Sequence, residues 1–225
     1  MEIIQKHWNL NEILCQQMFD LNKLIRENIK NLPPQFFARE QYTDAKILLD
    51  ANENSLGSPL QKWYNHYPDA QQRQLKAAVS KIKGIAAETI FLGNGSDEWI
   101  DILFRAFCEP QKDNVIICPP AYDMYERLAT INNVEIKKAL LQDDFQLDLI
   151  HLENLADEHT KIIWLCSPNA ASGISLNRND IEMALNNFNG IVVIDEAYIN
   201  FSRHKSFLQE LNDYPNLVVL QTFSK

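Results

Sequence analysis

No stretch of the 225 residues approaches the roughly 18 consecutive apolar positions that a membrane-spanning helix needs. The amino terminus has no basic segment followed by an apolar run, so no secretory signal is expected. There is no internal repeat and no low-complexity tract. Among Cys15, Cys108, Cys118 and Cys166 there is no Cys-x-x-Cys pair. Cys108 falls in an apolar helix pattern, and Cys118 and Cys166 end apolar strand patterns. Buried, reduced thiols in a cytoplasmic protein are the expectation. Positive charge is also scarce: 21 Lys and Arg stand against 30 Asp and Glu, a formal net charge of −9. That argues against a nucleic-acid protein, whose affinity comes mainly from cations on phosphates. It leaves room for a local basic site for an anionic ligand.

What is present is an ordinary globular balance, long enough to bury a sizeable core. Residues 1–32 read as a helical arm, with Ile13, Leu14, Met18, Leu21, Leu24 and Ile25 at helical spacing and Pro33-Pro34 stopping the pattern. Residues 46–50 read as a short strand leading into a polar, turn-rich loop, Ala51 to Gly57, and residues 69–83 as a polar helix. From there the chain alternates. Apolar runs at Ile90–Leu92, Val115–Cys118, Lys161–Cys166, Ile191–Ile194 and Leu217–Leu220 are each followed by a polar turn, and helices are expected over 97–108, around 122–131 and over 178–188. Such alternation predicts an α/β fold with a mostly parallel sheet covered on both faces. The expected division is an arm and part of a small domain over 1–45 and a large domain over 46–225. In such sheets ligands bind beyond the carboxyl ends of the strands. Ser96, Tyr122, Asn169, Asp195, Tyr198, Ser224 and Lys225 cluster there in the sequence.

Gly93-Asn94-Gly95-Ser96-Asp97-Glu98 joins a strand to a helix. Its glycines permit a tight turn, Ser96 reads as an N-cap, and the first-turn amides suit a phosphate. The same loop serves equally as a plain helix cap. Asp195 follows four β-branched residues, where a carboxylate is costly unless paired with a cation or a metal. A protonated pyridine nitrogen and Mg²⁺ in a nucleotide hydrolase are both candidates, as is a simple turn cap. The hydrolase reading needs a G-x-x-x-x-G-K-[ST] loop, which the sequence does not contain. Lys225 ends the last strand pattern; buried beside cations it becomes a nucleophile, and otherwise it is a solvated charge.

Taken in order, eight segments resemble the fold-type I pyridoxal-phosphate (PLP) aminotransferases, most of all their histidinol-phosphate aminotransferase branch. They are Leu49-Asp50-Ala51-Asn52-Glu53-Asn54, Tyr67-Pro68-Asp69, Gly93-Asn94-Gly95-Ser96-Asp97-Glu98, Arg105-Ala106-Phe107-Cys108-Glu109-Pro110, Cys118-Pro119-Pro120-Ala121-Tyr122, Cys166-Ser167-Pro168-Asn169, Asp195-Glu196-Ala197-Tyr198 and Thr222-Phe223-Ser224-Lys225. The resemblance runs from about residue 20 to residue 225. It implies a three-layer PLP-binding large domain, a cytoplasmic homodimer and transamination between L-histidinol phosphate and 2-oxoglutarate in histidine biosynthesis. It implies that Lys225 holds PLP as a Schiff base, Asp195 pairs with the pyridinium nitrogen, Tyr198 donates to the phenolic oxygen and Tyr122 stacks on the ring. Asn169 belongs to the same cofactor set. The backbone amides of Ser96 and Asp97, with the Ser224 hydroxyl, hold the phosphate, and Tyr67 reaches the phosphate of a second subunit. Asn52 and Glu53 border the substrate, and no metal is involved.

Two departures stand out. Where the family has Ser-Pro-Asn-Asn-Pro-[ST]-Gly, this chain has Ser167-Pro168-Asn169-Ala170-Ala171-Ser172-Gly173. Ala170 replaces a donor to the phenolic oxygen, at an expected cost of about 1 kcal/mol in cofactor stabilisation. The family also continues past the lysine with most of the small domain and two anion-binding arginines. The expectation is therefore a chain cut through its active site. The alternatives are an aromatic aminotransferase or threonine-phosphate decarboxylase of the same superfamily, a Mg-nucleotide hydrolase, and a non-catalytic aminotransferase-like protein.

Overall fold

A computed structural model describes residues 19–33, 47, 51–59, 62 and 64–225. In chain order its elements are α1 (Leu21–Leu24), α2 (Glu27–Lys30), α3 (Arg73–Lys83), α4 (Ser96–Phe107), β1 (Asn114–Ile117), α5 (Met124–Ile131), β2 (Glu135–Lys138), α6 (Leu149–Leu155), β3 (Thr160–Cys166), α7 (Arg178–Asn187), β4 (Ile191–Asp195) and β5 (Leu217–Leu220). The chain divides into two compact units. One comprises the residues up to Lys30 with Gly93–Lys225, and the other Asn31–Leu92.

The first unit is a five-stranded, fully parallel sheet in the order β2-β1-β3-β4-β5. Every residue of β1 and β4 is buried, as a parallel sheet covered on both faces requires. Side chains alternate between the faces with the strand period of two. Val115, Ile117, Ile162, Trp164, Ile191 and Val193 pack with Ile100 and Phe104 of α4 and Tyr125, Leu128 and Ala129 of α5. Ile116, Ile163, Leu165, Val192 and Ile194 pack with Leu149 and Leu152 of α6 and Ile181 and Leu185 of α7. The result is the three-layer α/β architecture the alternation implied. At one edge, β2 is polar and carries Lys137 and Lys138, charges that discourage further strand pairing.

Several local expectations change. The arm is not one helix in its described part. Ile25 is extended (φ −62°, ψ 131°), and Arg26 is drawn away, its amide donating to Ala106 O at 2.9 Å and its guanidinium pairing with Glu109 at 3.0 Å. Residues 1–18 and the expected strand 46–50, apart from Ile47, lie outside the described residues. β2 carries no apolar run that announces it, and α6 is a further helix, with Leu149, Leu152 and Leu155 at helical spacing. In α4 the N-cap is Gly95 (φ 80°), not Ser96, which is the first helical residue. Among the described residues no helix is long and apolar enough to cross a membrane.

In the second unit, α3 begins at Arg73 and not at residue 69. Asp69 folds back first, accepting from the amides of Gln71 (3.0 Å) and Arg73 (2.9 Å), and Gln72 is left-handed (φ 52°). Ile90–Leu92, expected as a strand, is not one. It follows a short 3-10 turn, and the exposed Phe91 ring lies under the Lys76 ammonium at 5.2 Å. Ile90–Leu92 joins no strand of the sheet.

Candidate functional site

The strand order reverses between β1 and β3, because β1 runs on to β2 on one side and β3 to β4 and β5 on the other. The carboxyl ends beside such a switch point form the binding crevice of an open α/β sheet. The turns leaving β1 and β3 are tied together there: the Asn169 amide donates to Pro120 O at 2.6 Å. The other end of that amide accepts from the backbone of Ala171 and Ser172, both at 2.9 Å. Asn169 is thus buried and spent on ordering its own loop. Ala170, beside it, is exposed and adds no donor.

Asp195 closes β4 and is 3% exposed. It follows the face of Val193, which brings it against α5. Its Oδ2 accepts from the Tyr125 hydroxyl at 2.6 Å and its Oδ1 from the Ala197 amide at 3.0 Å. Burial pushes its carboxyl above the ordinary 3.8, and the Asp97 carboxylate adds to that rise; the two hydrogen bonds oppose it. Among the described residues no cation pairs with it. A carboxylate this buried, with acceptor capacity left and no counter-charge, fits a protonated pyridine nitrogen.

The neighbouring Glu196 is spent differently. Its carboxylate accepts from Ser206 Oγ (2.5 Å), the Phe207 amide (2.7 Å) and Gln221 Nε2 (2.8 Å). A carboxylate so engaged has little left for a metal, which counts against the nucleotide-hydrolase reading of this strand.

Tyr122, half-buried after β1, donates to Asp97 Oδ1 at 3.1 Å; burial, then the Asp97 charge, push its phenol up to about 12. The Gly95–Ser96 turn starts α4, and no acceptor within the described residues takes the Ser96 or Asp97 amide. Those donors suit a phosphate, although Asp97 and Glu98 place acids in the same turn. Glu98 bonds back to the Asn94 amide.

β5 lies beside β4 with Leu220 opposite Asp195, so Lys225 is five residues past Asp195's partner. The Lys225 ammonium sits over the Tyr198 ring at 5.6 Å from its centroid. Ser224 bonds to Thr222, hydroxyl to hydroxyl at 2.9 Å. Tyr198, Asn169 and Ala170 line a cavity of about 210 Å³. A larger one, about 470 Å³, is lined by none of the expected site residues, and its Arg178 and Glu210 already pair at 2.5 Å. Of the expected site residues, the smaller cavity is lined by Asn169 and Tyr198, and not by Asp195, Tyr122, Ser96 or Lys225.

Asn52, Glu53 and Tyr67 belong to the second unit. There Glu53 accepts from the Tyr67 amide and pairs with His66 at 2.7 Å, while Asn52 is left-handed (φ 49°) and exposed. Sequence reasoning missed Tyr125. Its spacing from Leu128 and Ala129 is that of any core residue on α5.

Residues 40–225 match the family model "Aminotransferase class I and II". The chain is 52% identical over 210 residues to a histidinol-phosphate aminotransferase of Bacteroides fragilis, covering 92% of this chain and 60% of that protein. It therefore spans about 60% of the length of the curated relatives it matches. Its fold is similar to the crystal structure of the histidinol-phosphate aminotransferase from Clostridium acetobutylicum, with TM-score 0.60 and 23% identity over 71% of this chain and 48% of that one. It is also similar in fold to L-threonine-O-3-phosphate decarboxylase from Porphyromonas gingivalis, with TM-score 0.57 and 22% identity over 71% and 46%.

Proposed function

The chain belongs to the class I and II aminotransferase family, and from that membership we propose that the complete protein is a PLP-dependent histidinol-phosphate transaminase of histidine biosynthesis. It moves the amino group of L-glutamate to imidazole-acetol phosphate, giving 2-oxoglutarate and L-histidinol phosphate. The observation that carries the cofactor assignment is Asp195: a buried carboxylate at the end of β4, without a cation among the described residues, one strand from the segment that bears Lys225. The relatives at about half identity support the substrate assignment.

PLP, when bound, supplies the electron sink for the carbanion at the substrate's α-carbon. Asp195 holds a proton on the pyridine nitrogen. Tyr198 donates to the phenolic oxygen, and Tyr122 covers a ring face. The Ser96 and Asp97 amides and the Ser224 hydroxyl take the phosphate. Lys225 Nζ would hold the cofactor. The free amine of Lys225 would move a proton at the substrate's α-carbon, as general base and acid. Asn169 orders the loops after β1 and β3 beside the proposed cofactor site. The places of Asn52 and Glu53 beside the substrate, of Tyr67 at the phosphate of a second subunit in a homodimer, and a cytoplasmic location rest on the resemblance.

The test is amino transfer by the complete protein loaded with PLP. L-Histidinol phosphate with 2-oxoglutarate should yield L-glutamate. A PLP-loaded protein that leaves both untouched, or that decarboxylates threonine phosphate instead, overturns the substrate assignment.

A further inference from the structure

We propose that Tyr125 is a positioning residue for the cofactor, its hydroxyl fixing the plane of the Asp195 carboxylate that receives the pyridine nitrogen. The inference rests on the PLP reading above and deepens it.

Tyr125 is fully buried. A buried hydroxyl is costly without an acceptor, so packing alone favours Phe here. The ring is gripped on two sides. It stacks on Trp164, with centroids 5.1 Å apart and planes 21° apart, and meets the Tyr122 ring edge-on at 5.8 Å and 89°. A ring so held cannot swing its hydroxyl away from Asp195 Oδ2, 2.6 Å distant. The Ala197 amide holds the other oxygen at 3.0 Å. One donor on each oxygen sets the carboxylate plane, while each oxygen keeps capacity for a further proton donor.

The same contact bears on charge. Burial, and the Asp97 carboxylate, both favour a protonated Asp195, which could not hold a proton on the pyridine nitrogen. An O–H donor favours the ionised form. Among the described residues, the titratable groups facing Asp195 are Tyr125, Tyr122, Cys166 and Asp97. Two phenols three residues apart thus serve the two carboxylates: Tyr122 donates to Asp97 and Tyr125 to Asp195.

The test is a double-mutant cycle in the complete protein, read as PLP affinity of the apoprotein by titration. Y125F is expected to lose about tenfold in affinity, in keeping with a hydrogen bond to a charged group. In an Asp195→Asn background the same change should cost less than about twofold, because the partner charge is gone. Equal losses in both backgrounds would mean a merely structural role, and no loss in either would mean no role; both results overturn the inference. If Y125F does not accumulate folded, 3-fluorotyrosine at position 125, a stronger donor of nearly the same shape, should match or exceed wild-type affinity, and a loss there contradicts the proposal. If the wild-type protein itself takes up no PLP, the functional reading falls and the inference with it.

Discussion

Asp195 and Glu196 are adjacent in sequence and face opposite sides of the sheet. Asp195 turns toward Tyr125 on α5, and Glu196 toward Ser206 and Phe207. Both are buried carboxylates, and burial raises both above their ordinary values. Only Glu196 has its acceptors filled by the protein. The difference supports the proposed ligand role of Asp195 and leaves Glu196 to the fold.

Asp195 works against the stability of the apoprotein. Its folded-state carboxyl binds a proton more tightly than the ordinary 3.8. Stability therefore falls as pH rises from 3.8 through the raised value, and stays lowered above it. Asp195→Asn removes this titration, while Asp97 is present in both proteins. Burial holds the Tyr122 and Cys166 groups at about 12 and raises Tyr125 well above its ordinary 10, outside this window. Urea unfolding of the apoprotein between about pH 4 and 7 should show a flatter decline with rising pH for the variant. An identical slope contradicts the assignment.

Glu196→Ala should cost about 2–4 kcal/mol, because it strands the donors of Ser206, Phe207 and Gln221 in a buried place. The check is the urea midpoint, at which an unchanged value would show that Glu196 does not anchor the segment after β4.

Gly190 immediately precedes β4, where a Cβ would lie 2.6 Å from Lys161 O in β3 and press into the Phe188 ring. The ring can turn, but the carbonyl belongs to the sheet. Gly190→Ala should destabilise by about 1–3 kcal/mol, measured by thermal or urea unfolding. A neutral result would mean that β3 and β4 are less tightly joined than the structure has them.

Much of this architecture is legible in the residues themselves. Val115–Cys118, Lys161–Cys166, Ile191–Ile194 and Leu217–Leu220 are apolar because a covered parallel sheet needs them so. The polar residues after them mark the crevice. β2 escapes notice because Glu-Ile-Lys-Lys at a sheet edge looks like any exposed segment. The break at Ile25 and Arg26 escapes it because its cause, Glu109 and the end of α4, is some eighty residues away. Asp195 is readable as a candidate from its strand end. Tyr125 is not, since an aromatic on an amphipathic helix looks like core until the carboxylate 70 residues later is seen beside it.

Lys225 is the cofactor-bearing lysine of the proposed function. The direct measurement is reductive trapping: the complete protein is saturated with PLP, reduced with borohydride, digested, and its peptides analysed by mass spectrometry. A phosphopyridoxyl group on Lys225, absent after Lys225→Ala, is the predicted result. A stoichiometric adduct on another lysine, or none on a protein that binds PLP, would contradict it.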